Sequence, residues 1–460
     1  LRGMIAGEAA VPAARLRIRV EEQVFSVEKS LLVESSEYFG ALFRSGMRES
    51  TQEELRLRAL SAAGFAAMLR VLAGERPVLR GDENVEAVEC AAFLQAAPLA
   101  RYLVHSLNSD NCVLLFHAAA VFGLRELFHS AALFIRDSYA ELQGGLEGLP
   151  AELRAYVRSL LPSTFIAVGA HTPTLEFLED LSRTICYLDE ESNAWRTLAC
   201  LPLAASTFLA GLAAMENKIY IVGGVYGASK QVVESSFCYD ADADAWSEFA
   251  SPQQPRYDVT LVGHEGHLYA IGGEYEKAAL KSVERYDTST KTWSFVSDLP
   301  QPSAATPCAQ ALGQIFVCLW KPLDTTVVYE YEARGDAWLP VTHLRRPQSY
   351  GHCMVAHRDN LYVMRNGPCD DFLHCVIDCF NLTSRQWSTL PGQFVNSKGA
   401  LFTALIRGDT VYTVNRMLTL LYHVGEQTWR FKQEKAGFPR SGSLQTCLLR
   451  LPRRDHRLAT

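Results

Sequence analysis

Few stretches of this 460-residue chain have residue types at spacings that could do chemistry. Gly223-Gly224-Val225-Tyr226-Gly227-Ala228-Ser229-Lys230 has the glycine density of a loop that cradles phosphate. Such a loop ends in Gly-Lys-Ser/Thr and opens a helix, whereas a strand-forming run follows here, so nucleotide binding is not expected. His374, Cys375 and Cys379, and again His352, Cys353 and His357, gather soft ligands within short stretches. Neither group has the paired spacing of a zinc site. The expectation is packed thiols and surface imidazoles, with no metal and no cofactor. There is no Gly-x-Ser-x-Gly to raise a nucleophilic serine. No catalytic residue is expected, and what remains is the chemistry of recognition.

Two places carry residues suited to that. Met47-Arg48-Glu49 sets an apolar knob beside a carboxylate, a pair that fits a helical partner offering a groove and a basic edge. The second place is a series of loops in the C-terminal two-thirds, where arginine and tyrosine, favoured anchors at protein interfaces, recur. Arg256 and Tyr257 stand in one loop, Arg345, Arg346, Gln348 and Tyr350 in another, and Asn396 and Lys398 in a third. Tyr275, Lys321 and Phe372 stand in a second class of loop. All eleven are expected at an exposed protein-binding face. Acidic neighbours (Glu274, Glu276, Asp370, Asp371) leave the charge of the bound epitope open.

The elements that position these loops announce themselves by a repeat. Trp195, Trp246, Trp293, Trp338, Trp387 and Trp429 recur at intervals of 42 to 51 residues. An aromatic followed by a short apolar run recurs with them, at Phe165, Tyr220, Tyr269, Phe316, Tyr362 and Tyr412, and Gly-Gly closes that run at Gly223-Gly224 and Gly272-Gly273. This register resembles kelch repeats, the blades of a β-propeller. Residues 163–451 divide into six repeats of about 48 residues, each of four short strands a to d. In the second repeat these fall at 211–214, 218–222, 232–239 and 245–249. In such blades the d→a and b→c loops emerge on one side, which places the eleven residues on one face. The tryptophans and Tyr187, Tyr239 and Tyr286 are expected to fill the space between blades, and the Gly-Gly pairs to serve backbone geometry. The first repeat lacks strand a, and an apolar strand at 444–449 is left over. That strand is expected to complete the first blade and remove two open sheet edges.

Upstream, residues 15–108 read as an α+β domain. Leu16, Ile18 and Val20 alternate along a strand, 24–27 is its hairpin partner, and 54–57 is a third strand. A helix is expected over 31–43 with Leu32, Ser36, Phe39 and Phe43 on one stripe, and others over 64–72 and 86–94 and from Pro98. Residues 109–162 are helical: Ser109-Asp110-Asn111 is an N-cap cluster for 112–122, a second helix runs 124–135, and Gly144-Gly145 reads as a loop. Residues 452–460 form a short basic tail. The run 25–50 resembles the central signature of BTB (POZ) domains, departing at Glu28, where most relatives carry His. Residues 109–162 resemble the start of a BACK domain, the paired helices called the 3-box, in truncated form.

The order BTB domain, BACK-like helices, kelch propeller resembles the BTB-kelch adaptors of cullin-3 RING ubiquitin ligases. The resemblance implies a non-enzymatic adaptor in which Met47, Glu49 and the 3-box residues Asn111, Leu114, Leu115 and Leu124 hold cullin-3. It also implies a BTB-mediated homodimer and a propeller face that holds a protein substrate. A scaffold that binds actin-type filaments is the alternative. Composition agrees with an ordinary soluble protein. The net charge is −7 with both signs interspersed, which gives no footprint for nucleic acid. No run approaches 18 apolar residues, so no membrane span is expected. Glu8 spoils the only apolar portion of a signal peptide, and twelve cysteines show no C-x-x-C spacing. A cytoplasmic location with reduced thiols is the expectation.

Overall fold

The computed structural model describes residues 15–170, 183–192, 194–227, 230–321, 325–345, 351–366, 374–390, 394–395, 403–408, 410–414, 419–423, 428–432 and 445–452. The chain divides into two compact units: Leu1–Ile135 with Tyr139–Arg158, and Arg136–Ser138 with Ser159–Thr460.

The first unit opens with β1 (Arg15–Val20) and β2 (Gln23–Glu28), an antiparallel hairpin, and β3 (Glu54–Leu57) pairs parallel to β1. Alternation buries Leu16, Ile18, Val20, Leu55 and Leu57 on one face. The helix expected over 31–43 is two helices, α1 (Lys29–Ser35) and α2 (Glu37–Arg44). Ser36 breaks them apart because its extended backbone (φ −140°) makes it the cap of α2. Its hydroxyl accepts from the Phe39 N–H at 3.3 Å and donates to the Leu94 carbonyl at 2.5 Å, so a buried polar side chain is satisfied on both sides. Four further helices follow: α3 (Ala62–Leu72), α4 (Asp82–Phe93), α5 (Ala97–His105) and α6 (Cys112–Phe122). Pro98 sits in the first turn of α5, and Gly123 ends α6 in the left-handed region (φ 75°). A Cβ on Gly64 would stand 2.4 Å from the Glu86 carbonyl oxygen, so α3 and α4 approach closely only because residue 64 has none. After α7 (Arg125–Asp137), Gly144-Gly145 lies inside a helix, α8 (Tyr139–Leu146), not in the loop expected there; α9 (Ala151–Ser159) ends the segment.

The second unit holds six antiparallel sheets of four strands and two two-stranded ribbons among its described residues, the fifth sheet carrying an extra short strand at Phe394–Val395. The second sheet runs Ala210–Met215, Lys218–Gly223, Ser236–Asp240, Ala245–Phe249, and the third Thr260–His264, His267–Ile271, Val283–Asp287, Thr292–Val296. The fourth runs Cys308–Ala311, Gln314–Lys321, Thr325–Glu332, Ala337–Arg345. In the second repeat, the expected third strand 232–239 is divided: Gln231–Val232 pairs with Val225–Tyr226 as a separate ribbon, and only Ser236–Asp240 joins the sheet. The first sheet takes its edge from the far end of the chain. Gln445–Leu449 pairs with Thr164–Val168, register Cys447 to Ile166, ahead of Thr184–Asp189 and Ala194–Cys200. The first strands of successive sheets lie side by side from the second to the sixth (Thr403–Arg407). Gln445–Leu449 lies against both Thr403–Arg407 and Ala210–Met215.

The repeated residues explain this order. Tyr239, Tyr286, Tyr331 and Phe380 stand directly across from Trp246, Trp293, Trp338 and Trp387, with ring centroids 4.9–5.2 Å apart. The indoles also latch sheet to sheet. Trp293 Nε1 donates to the Ala250 carbonyl (2.6 Å), Trp338 Nε1 to the Ser297 carbonyl (2.9 Å) and Trp387 Nε1 to Thr342 Oγ1 (2.9 Å), each acceptor belonging to the preceding repeat. A second latch is backbone to backbone: Leu209, Asp258 and Ala305, all at positive φ, precede three first strands, and Asp258 N donates to Leu209 O as Ala305 N does to Asp258 O. The Gly-Gly pairs make room for these entering loops. A Cβ on Gly223 or Gly272 would lie 2.2 Å from the carbonyl oxygen of Arg256 or Ser303, and both glycines have positive φ. Where Leu319-Trp320 replaces the pair, the strand runs on to Lys321 and its hairpin lengthens.

Candidate partner-binding surfaces

On the first unit, α2 ends at Arg44 and the chain turns through Gly46 (φ 66°) into a short 3-10 turn, Arg48–Thr51. Met47 precedes that turn, with 61% of its surface exposed, among the most exposed large apolar side chains of the described residues. Glu49 lies in the turn, and its side chain is outside the described residues. Both α2 and α6 pack beside α4: Tyr38 of α2 meets Phe93 of α4 at 5.5 Å, and α6 lies along α4. Helix α6 turns Leu115, Phe116, Ala118 and Ala119 inward and leaves Leu114, His117 and Val121 outward. Exposed apolar side chains of this unit include Met47 after α2, Phe93 of α4, and Leu114 with Val121 of α6. Phe93 and Val121 were missed in the sequence, although Val121, seven residues after Leu114, was readable as the same helical stripe.

Two of the expected contact residues are corrected. Leu115 is fully buried in the core of the unit and has no surface to offer. Asn111 precedes α6 without capping it by its side chain. Its Oδ1 accepts from Asn108 N (2.9 Å) and its Nδ2 donates to the Ser106 carbonyl (3.0 Å), so it shapes the turn before the helix. Leu124 is half-buried against the core.

On the second unit, the segments between strands b and c of the second and third sheets, with the connection from the second sheet to the third, line a cleft of about 630 Å³. One wall is Lys230, Gln231, Val232 and Glu234, the other Tyr275, Glu276 and Lys277, with Pro255 and Tyr257 between. Both walls are hairpins with unusual backbones. Glu276 (φ 50°) and Lys277 (φ 67°) turn the ribbon Glu274–Tyr275 to Ala278–Ala279 in a conformation ordinarily given to Asn-Gly, and Lys230 (φ 52°) is likewise left-handed. The Lys230 ammonium lies 5.2 Å over the Tyr257 ring and 3.9 Å from Glu274. Burial, then the hydrogen bond with Glu274, pushes the Tyr257 hydroxyl upward. Burial and then the Glu274 charge raise the Asp258 carboxyl, with Lys230 opposing. A mixed-sign cleft with two tyrosines in its lining suits a polypeptide more than a small apolar ligand.

The expected exposed face loses an anchor to the interior. Arg256 is only 1% exposed. Its guanidinium donates to the carbonyls of Gly272 (2.8 Å), Ser282 (2.9 Å) and Gln254 (3.3 Å), to Ser282 Oγ (3.2 Å) and to Glu284 Oε1 (2.7 Å). Glu284 is equally buried and accepts in addition from the backbone N–H groups of Gln253 and Gln254. Arg256 therefore pins the entering loop to its sheet and is unavailable to a partner. Tyr257, expected to project, is 2% exposed and offers only what faces the cleft. Tyr275 is half-buried there. Arg345 is the last residue of a strand, not of a loop, exposed beside Thr325, which in turn pairs with Lys321; the three form one row at the end of the fourth sheet. The Lys321 ammonium sits 5.7 Å over the Tyr329 ring. Arg346, Gln348, Tyr350, Phe372, Asn396 and Lys398 lie outside the described residues. Among the described residues no group of three or more His, Cys, Asp or Glu side chains could hold a metal, and no helix is long and apolar enough to cross a membrane.

A small sheet with packed helices, followed by six four-stranded sheets of which three are latched to the preceding repeat by a tryptophan, defines a two-part protein. Comparison agrees: the BTB/POZ domain pattern matches residues 16–111, and the Kelch motif matches 207–253 and 255–300. The chain belongs to the BTB-kelch family. It is 65% identical over 442 residues to Kelch repeat and BTB domain-containing protein 13 of Homo sapiens, covering 96% of each chain, and 64% identical to its Mus musculus counterpart over the same shares. Kelch-like protein 42 of Mus musculus is 28% identical over 88% of this chain and 90% of its own.

Proposed function

We propose that this chain is a non-catalytic substrate adaptor of a cullin-3 RING ubiquitin ligase. In this reading residues 15–108 are the BTB domain, 109–162 truncated BACK-like helices, 163–451 the propeller and 452–460 a tail. The six sheets close into a six-bladed propeller. The support for closure is the pairing of Gln445–Leu449 with Thr164–Val168 and the unbroken succession of neighbouring first strands. The BTB domain dimerises, and the adaptor acts in the cytoplasm. Met47, with Glu49, Leu114 and the added Phe93 and Val121, forms the cullin-3 surface. The cleft at Tyr257 and Tyr275 and the row at Lys321 and Arg345 receive a protein substrate.

The observation that carries the cullin side is the exposure of Met47 at the end of α2. Burying a methionine contributes about 1.5–3 kcal/mol, so Met47→Asp with Glu49→Lys is expected to weaken cullin-3 binding at least about tenfold. Co-purification of full-length chain with cullin-3 measures it. A variant that recovers cullin-3 as well as the parent misplaces the site. A parent chain that recovers none favours a cytoskeletal scaffold.

A further inference from the structure

We propose that the outer face of the β2–β1–β3 sheet is a docking surface for an extended acidic polypeptide segment. The proposal stands on residues away from Met47 and independently of the ligase reading.

Both β1 and β3 alternate arginine with apolar residues, in Arg15-Leu16-Arg17-Ile18-Arg19-Val20 and Leu55-Arg56-Leu57-Arg58. The apolar set is buried, so Arg15, Arg17, Arg19 and Arg56 share the opposite face, and Arg58 follows directly after β3. Arg15, Arg17, Arg56 and Arg58 are exposed and Arg19 half-exposed. The acids on that face are Glu54 and Glu28, with Glu22 and Glu53 at its margins. Glu54 is shared by Arg17 (3.4 Å) and Arg19 (2.8 Å), while Glu28 accepts from Ser30. Arg15 bonds Ser26 rather than an acid. Arg56 and Arg58 have no side-chain partner among the described residues.

Three features separate this face from an ordinary solvated one. The chain as a whole is acidic, at −7, yet four cations share this face with two acids, Arg58 standing at its margin with Glu22 and Glu53. The strand register sets Arg19 directly against Arg56, and like charges opposed across strands destabilise a sheet. All five are arginines, whose planar fork pairs with carboxylates bidentately, where lysine would suffice to keep a sheet face soluble. Along β1 the arginines repeat every ~6.8 Å, two residues of rise. An extended peptide with carboxylates at alternate positions repeats at that same spacing, so its carboxylates meet successive guanidinium groups without bending. A nucleic-acid strand fits less well, because its bases need aromatic platforms. Phe25, the ring in β2, packs inward against Phe65 at 5.2 Å. A membrane surface would call for apolar side chains beside the cations, and this face exposes Val24 alone among those strands.

The test uses the full chain and a fluorescent peptide of about twelve residues alternating glutamate and serine, read by anisotropy at low and raised salt. Saturable binding that falls with salt is expected. Arg56→Gln/Arg58→Gln is expected to weaken it about tenfold with an unchanged or raised melting midpoint, since neither side chain has a partner among the described residues to lose. Arg56→Gln alone replaces the pair if the double variant does not fold. Glu54→Gln, which releases Arg17 and Arg19, is expected to tighten binding. Absence of saturable binding at low salt, equal binding by the variants, or tighter binding of oligothymidylate or phosphatidylserine vesicles to the same face would each overturn the proposal.

Discussion

Replacing Arg256 with methionine separates a structural role from a binding one. The substitution keeps the aliphatic stem and removes the five hydrogen bonds the guanidinium donates. It strands the carbonyl of Gly272 and leaves Glu284, buried with Arg256, charged against only two backbone N–H groups. Breaking a buried ion pair by removing one partner costs about 3–5 kcal/mol, because the remaining charge is uncompensated. For a unit of this size that is a fall of about 10 °C in melting midpoint. Calorimetry of the full chain, with urea unfolding followed by tryptophan fluorescence, reads it. Arg256→Met/Glu284→Leu removes both charges, and a large part of the lost stability is expected to return as a coupling between the two sites. A loss under about 1 kcal/mol in the single variant, or a double variant that falls as the sum of its parts, would refute the reasoning. Full stability with loss of a bound protein would restore Arg256 to the surface.

Removing residues 443–460 deletes the strand Gln445–Leu449 and with it the Gln445 Nε2 bond to Ala210 O (2.7 Å) and the Asn217–Arg450 pairing. The tryptophan-monitored melt is expected to drop by about 10 °C or more, and an unchanged melt counts against closure by this strand. The Asp240 carboxyl is held below its ordinary 3.8, first by the Lys218 hydrogen bond and then by the N–H of Ala243. A depressed folded value means that its contribution is present above pH 3.8 and disappears as pH falls through the lower folded value. Asp240→Asn is expected to be less stable than the parent at neutral pH and to lose less on acidification, as measured by urea unfolding across that range.

Much of this architecture is legible in one sequence because each repeat restates it. Trp246, Trp293 and Trp338 stand at the predicted fourth strands, and Gly223-Gly224 and Gly272-Gly273 end the second strands where expected. The apolar run 444–449 was readable as a leftover strand, since nothing near it could pair. Local punctuation misled in three places. Ser36 broke a helix whose apolar stripe continues through it, Gly144-Gly145 stayed helical, and Val232 went to a ribbon rather than the sheet. Glycine and serine bias a backbone by tenths to about one kilocalorie, which packing overrides. The surface was the least legible. Pro255-Arg256-Tyr257 carries the residue types of an interface hot spot, and nothing local reveals that Glu284, 28 positions later, lies in wait for the guanidinium.

Taken alone, the sequence determines what depends on period and local geometry: alternating strands, tryptophan-marked repeats, the Met47 knob and the arginine alternation of Arg15 to Arg19. Only the tertiary structure decides which side chains remain available. Arg256, Leu115 and Tyr257 are drawn inside, Phe93 and Val121 are left out, and Arg56 is set beside Arg19 by a parallel pairing across 37 residues. The physical reason is that burial and charge pairing are properties of neighbours distant in the chain, and a lone residue's type carries no record of who those neighbours are.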